Sequence, residues 1–63
     1  MDEEEKVLEN IRDEGFDLIS RSASEEELSN FFDTSLKKLS KPYFIAQFEE
    51  YKLVLKELNE ILH

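Results

Sequence analysis

The chain has 63 residues, no cysteine and a formal net charge of −8. This length allows at most one small domain, residues 1–63, whose own core is marginal for stability, and the lack of cysteine excludes disulfide bonds and thiolate metal sites as reinforcement. The acidic excess disfavours direct binding to nucleic acids or anionic membranes, because both are negatively charged. We therefore expect a small cytoplasmic (intracellular) protein that gains stability by pooling its core with a second copy.

The acidic residues are concentrated in the N-terminal part of the chain. Residues 1–27 carry eleven acidic and three basic side chains, whereas residues 28–63 carry five of each. The first residues are acidic, whereas an export signal begins with basic residues and continues with apolar ones, and no apolar run has the length of a membrane span. We expect no membrane partner, and we expect the acidic half to favour a basic protein as its partner.

Helix-forming residues dominate the chain, and no segment alternates apolar and polar residues as a β-strand does, so we predict an all-α fold. The first helix is predicted near residues 3–20. The stretch "RSASEEEL" that follows contains Ser24 and Glu27 at the spacing of a capping box. Three serines within residues 20–24 also weaken a helix. These features indicate a break before a second helix at about 24–39.

The alternative is one continuous helix through this stretch. A heptad register runs without interruption from Leu8 to Leu39, as in a long helix. That register places the carboxylate of Glu25 in the apolar seam, where an unpaired charge is costly. The resulting helix of about 55 Å would also not match a last helix of about 30 Å. We favour a break or sharp kink near Ser22–Ser24, and therefore three helices rather than a hairpin of two.

The last helix has the clearest sequence pattern. Ser40 has the residue type of an N-cap and Pro42 that of a first-turn residue, so a helix at about 42–62 follows a turn. Apolar side chains recur in it at alternating spacings of four and three residues, which places them on one face. We predict that this face forms the core and the interface with a second copy: Phe44, Phe48, Tyr51, Leu55, Leu58 and Leu62.

No group of residues has the full pattern of a catalytic or metal site. Glu60 and His63 have the ExxH spacing found in helical di-metal proteins, but Glu60 lies off the apolar face. The segment "DEGFD" resembles only a fragment of a calcium loop. A single glycine cannot form a glycine-rich phosphate loop, and no serine has a base and an orienting group in a recognisable pattern. We expect a protein that is not an enzyme and that uses no metal or cofactor.

The segment "KLSKPYF" at Lys38–Phe44, followed by Gln47 and the amphipathic run to Leu62, resembles small helix-turn-helix proteins of spindle-shaped archaeal viruses. The resemblance implies an antiparallel four-helix-bundle dimer, similar in architecture to the plasmid copy-control RNA-binding bundle, that acts as an adaptor between other macromolecules. RNA binding is not expected to carry over, because the only clustered bases are Lys37, Lys38 and Lys41.

Two functions are consistent with these features. The first is a non-enzymatic protein–protein interaction or adaptor module: a homodimeric helical bundle with Glu25, Glu26 and Glu27 as its acidic docking face. The alternative is an acidic inhibitor, or nucleic-acid mimic, that occupies a basic site on another protein. The two differ in how strongly salt should weaken binding, because only the adaptor is expected to retain affinity through apolar contacts.

Overall fold

The computed structural model of the chain describes residues 2–62, which form three α-helices: α1 (Glu3–Ser20), α2 (Glu25–Leu36) and α3 (Pro42–Leu62). Residues 2–62 contain no strand, so the predicted all-α fold is confirmed. α1 and α3 run in the same direction, since Glu4 contacts Ser40 at the start of α3 and Gly15 faces Leu55 further along. α2 runs in the opposite direction and packs against this pair, and the bundle measures 35 × 16 × 16 Å.

α1 ends within the serine-rich stretch, through a residue in the left-handed conformation. Ser22 has a φ of 60°. Its N–H donates to the carbonyl oxygen of Ile19 at 3.1 Å, and the N–H of Ala23 donates to that of Leu18 at 3.0 Å. These are the two bonds of a Schellman motif, which satisfies carbonyl groups that a helix C-terminus leaves without partners. The chain thus turns out of α1 without the glycine that usually occupies this position.

α2 begins directly after the predicted cap. Ser24 has extended backbone geometry, and its Oγ accepts a hydrogen bond from the N–H of Glu27 at 3.1 Å. Three glutamates follow in the first turn, where the helix dipole favours negative charge. The chain therefore has the break rather than the continuous helix.

α2 ends at Leu36, three residues before the predicted boundary at 39. The N–H groups of Lys38 and Leu39 donate to the carbonyl oxygens three residues earlier, those of Ser35 and Leu36. This tighter turn carries Leu39, which is 7% exposed, into the core. α2 therefore ends early because the tighter turn allows Leu39 to pack into the core.

α3 begins at Pro42, whose missing N–H donor costs nothing in the first turn. Ser40 is not its N-cap, contrary to the prediction. The carbonyl oxygen of Lys41 accepts the first hydrogen bonds, from the N–H groups of Phe44 and Ile45 at 3.0 Å each. The hydroxyl of Ser40 instead donates to the carboxylate of Glu4, a charged and therefore stronger acceptor.

The core lies between the three helices and is formed by eight apolar side chains: Leu8, Ile11, Ile19, Leu28, Phe32, Leu39, Phe48 and Leu55. The rings of Phe32 and Phe48 meet edge to face with centroids 6.2 Å apart, a favourable geometry. α1 packs against α3 more extensively than α2 packs against either. Within residues 2–62, no helix combines the length and apolar character that crossing a membrane requires.

Candidate functional site

The predicted interface residues lie at different depths. Phe48 and Leu55 are 1% and 2% exposed and belong to the core of the single chain. Phe44, Tyr51 and Leu58 are partly buried against that core, and Leu62 is 56% exposed. Phe48 and Leu55 therefore have no surface left for a second copy in this conformation. The other four predicted residues still have accessible surface.

α3 also carries apolar side chains that a single chain leaves in solvent. Val54 is 55% exposed and Ile61 is 80% exposed. They lie beside the core face, because Val54 and Ile61 are about 100° and about 120° around the helix from Leu55. Their exposure was not predictable from the sequence, since helical periodicity places them beside the core residues but does not say how wide a face α1 and α2 cover.

The predicted acidic face is divided between two sides of α2. Glu27 lines a groove between α1 and α2, together with Glu14 and Asp17 of α1. Glu25 lines a different groove, between α2 and α3, while Glu26 is exposed and lines neither. The three glutamates share one helical turn, but successive residues on a helix point in directions about 100° apart. They therefore do not form one docking face.

The groove between α1 and α2 combines carboxylates with apolar surface. It has a volume of about 640 Å³, and Leu18 and Phe31 contribute its apolar side chains. Arg21 and Lys38 also line this groove. Arg21 is paired with Asp17 at 2.9 Å on the surface, and Glu14 and Glu27 are exposed. This arrangement suits a cationic side chain whose aliphatic part packs on an apolar floor.

The groove between α2 and α3 has mixed charge. Its volume is about 340 Å³, and Glu25, Asp33 and Glu60 line it together with Lys52 and Lys56. The ammonium nitrogen of Lys52 lies 5.9 Å from the centroid of the Phe32 ring, within cation–π range. Both grooves are thus lined by three acidic and two basic side chains, and they differ in that the first has the partly buried Leu18 and Phe31 as apolar side chains.

A polar contact, which we call the clasp, joins the start of α1 to the turn before α3; it consists of Asp2, Glu4, Ser40 and Lys41. One carboxylate oxygen of Glu4 accepts from the backbone N–H groups of Ser40 at 2.5 Å and Lys41 at 3.2 Å, and the other accepts from the Ser40 hydroxyl at 3.0 Å. The ammonium group of Lys41 pairs with the carboxylate of Asp2. Residues so distant in sequence carry no local signal of such a contact.

The clasp changes the proton affinity of its charged groups. The pKa of Glu4 is lowered, first by the hydrogen bond from the Ser40 N–H. The pKa of Asp2 is lowered, first by its hydrogen bond with Lys41, and the pKa of Lys41 is raised by the same contact. In each case the partner stabilises the charged form, so the clasp is strongest when both carboxyls are ionised.

Among residues 2–62, no three His, Cys, Asp or Glu side chains are grouped so that they could hold a metal ion. Glu60 is exposed near the end of α3. His63, its partner in the ExxH pair, lies outside the described residues, and the structure therefore does not describe that pair.

No protein-family model, no curated protein and no solved structure matches this chain. Its function is therefore inferred from its own surfaces: the exposed apolar side of α3 and the acidic groove between α1 and α2.

Proposed function

We propose that the chain is a non-enzymatic protein–protein interaction module, an adaptor that works as a homodimer and presents an acidic surface to a basic protein. The observation that carries this proposal is the exposed apolar side of α3. Val54 and Ile61 are more than half exposed, and they continue the apolar surface of the half-buried Tyr51 and Leu58. Contiguous apolar surface of this kind marks association sites on small proteins.

The distribution of charge supports the same assignment. α3 carries four acidic and two basic side chains, a smaller acidic excess than that of residues 1–27, so two copies that meet through α3 repel less than copies that meet through the N-terminal part. The eleven acidic residues of the N-terminal part then remain on the outside. A basic partner would be attracted to that surface, and the groove beside Glu14 and Glu27 offers Leu18 and Phe31 for apolar contact.

The test of the homodimer is the molar mass in solution, measured by light scattering on a sizing column over a wide range of concentration. We expect a dimer that dissociates on dilution. A chain that stays monomeric at the highest concentration, with its helical circular dichroism intact, contradicts the homodimer.

The groove between α1 and α2 also favours a second function, an acidic inhibitor that occupies a basic site on another protein. Glu14, Asp17 and Glu27 are brought together there from two helices. The two functions are separated by titrating a lysine-rich amphipathic peptide into the protein at low and at high salt. The adaptor retains affinity at high salt through its apolar floor, whereas the inhibitor loses nearly all of it.

The titration is repeated with Glu27→Gln and with Glu26→Gln as the matched control, because Glu27 lines the groove and Glu26 does not. We expect only Glu27→Gln to weaken the binding of the peptide. Equal weakening by the two changes would indicate attraction by net charge alone, without a defined groove.

A further inference from the structure

We propose that two copies of the chain pair through α3 in antiparallel orientation, along a mostly apolar seam at the edge of the core face. This inference rests on the homodimer proposed above, and it adds the surface, the register and the direction of pairing. The seam consists of residues spaced alternately by three and four, and we call it the α3 seam: Phe44, Gln47, Tyr51, Val54, Leu58 and Ile61.

The spacing of the α3 seam is that of a coiled-coil interface. Positions 44, 51 and 58 recur every seven residues, as do 47, 54 and 61, which is the a and d pattern of a heptad. The first set is partly buried against the chain's own core. In the second set Val54 and Ile61 are exposed. The first set is therefore held in place by the chain's own core. Val54 and Ile61 of the second set are free to pack against the side chains of another helix.

The α3 seam lies on the side of α3 that faces away from α2. Lys52 lines the groove against α2, and Val54 follows two residues later, a rotation of about 200° around the helix. By the same geometry Phe16 of α1, which is 41% exposed, lies opposite Leu18, which lines the groove between α1 and α2. Phe16 and Val54 thus both lie on the outer side of the α1–α3 pair, and Phe16 adds to the available apolar surface.

The α3 seam is complementary to itself when a second α3 runs in the opposite direction. In one register Tyr51 meets the partner's Val54, Phe44 meets the partner's Ile61, and Leu58 meets the partner's Gln47. Every member of the α3 seam then lies opposite another member, and a two-fold axis repeats each layer. A standard interface buries about 800 Å² on each partner, which is less than a fifth of the 4545 Å² surface of the chain.

Charge favours the antiparallel direction over the parallel one. Lys41 pairs with Asp2 at the start of α3, whereas Glu57 and Glu60 lie near the end of α3, so parallel pairing would bring two acidic ends together. Antiparallel pairing puts these ends on opposite ends of a bundle 35 Å long, several times the screening length of about 8 Å. The same register brings Glu50 near the partner's Glu57, a like-charge contact that keeps the dimer weak.

The pairing is tested by sedimentation equilibrium on the full chain and on two matched variants, Val54→Glu and Leu53→Glu. Leu53 is 62% exposed and Val54 is 55% exposed, so neither change should unfold the chain, but only Val54 belongs to the α3 seam. We expect Val54→Glu to raise the dissociation constant of the dimer at least about 30-fold, as at an interface hot spot. Leu53→Glu should change it by no more than about threefold.

The outcomes distinguish a failure of the homodimer from a failure of the α3 seam. A monomeric parent chain contradicts the homodimer itself and the pairing with it. A dimer that survives Val54→Glu, or that is weakened equally by both variants, contradicts the α3 seam and leaves the homodimer standing. Circular dichroism of each variant shows whether the helices remain. Ile61→Glu tests the α3 seam at a second position and should also weaken the dimer.

The direction of pairing has its own measurement. The chain has no cysteine, so Ala46→Cys introduces a unique site for a spin label on the exposed surface of α3. Antiparallel pairing offsets the two labels by roughly 20 Å along the helix axis, whereas parallel pairing leaves them side by side. A short distance between the two labels would overturn this direction.

Discussion

Gly15 allows α1 and α3 to approach closely, because its lack of a side chain makes room for Leu55. A Cβ atom at position 15 would lie 2.6 Å from Cδ1 of Leu55, closer than carbon atoms can pack. Leu55 is itself 2% exposed and surrounded by the core, so it cannot easily move aside. The glycine is therefore needed for the packing of α1 on α3, which its position in the segment "DEGFD" did not indicate.

The contact between Gly15 and Leu55 predicts that the effect of Gly15→Ala on the free energy of unfolding changes sign when Leu55 is shortened. Gly15→Ala gains about 1 kcal/mol of helix propensity but overpacks the core at a cost of about 1–3 kcal/mol, so we expect a net loss of about 1 kcal/mol. In the background of Leu55→Val, which removes the clashing methyl group, Gly15→Ala should stabilise the chain. Urea unfolding of the four chains measures both effects; the same sign in both backgrounds contradicts the contact.

Ser22 predicts a stabilising substitution. Its φ of 60° costs a residue with a Cβ atom about 1–2 kcal/mol, whereas glycine adopts this conformation freely but loses more entropy on folding. We expect Ser22→Gly to raise the melting temperature by an amount equivalent to about 0.5–1 kcal/mol. Ser20→Gly, in the last turn of α1, is the control and should lower it. A decrease with both variants would argue against the left-handed turn.

The boundaries of the helices show which signals are local. The start of α2 follows from Ser24 and the glutamates after it, and the start of α3 follows from Pro42, because caps act within one turn. The end of α2 depends on the burial of Leu39, and the end of α1 on a serine in a conformation typical of glycine. The serine-rich stretch indicated the end of α1, although not the left-handed conformation of Ser22. The end of α2 has no local sequence signal, so the sequence alone could not have predicted it.

The clasp links two elements and gives the fold a dependence on pH. The pKa values of Asp2 and Glu4 are lowered in the folded chain. Carboxyls with lowered pKa contribute stability above their unfolded pKa values, and that contribution is lost as the pH falls through the folded values. The clasp should therefore be fully effective at neutral pH and should weaken below about 4.5, the ordinary value for Glu4.

Glu4→Gln tests this dependence through thermal melts at a series of pH values. At neutral pH the variant should melt below the parent chain, and the difference should shrink as the pH falls, because the parent then loses the same charged contacts. Glu3→Gln is the control at the adjacent exposed position. A difference between the parent and Glu4→Gln that stays constant with pH would show that the carboxylate of Glu4 does not carry the contact.

The net charge of the whole molecule predicts opposite effects of salt on its two kinds of association. Two copies that each carry −8 repel one another, so added salt should tighten the dimer by screening that repulsion. Salt should weaken the binding of a basic peptide, since it screens an attraction. Sedimentation equilibrium and peptide titration across one salt series measure both; a dimer that weakens with salt would contradict pairing through apolar side chains.

The more extensive packing of α1 against α3 has a consequence for how the molecule opens. α2 has 12 residues, fewer than either other helix, and it packs less extensively against them. The clasp and the α3 seam both lie on α1, α3 and the turn before α3, so α2 can unfold locally while they persist. Its amide protons should exchange with solvent before those of α1 and α3. In a dimer held by α3, each α2 would then open without breaking the contact between the two copies.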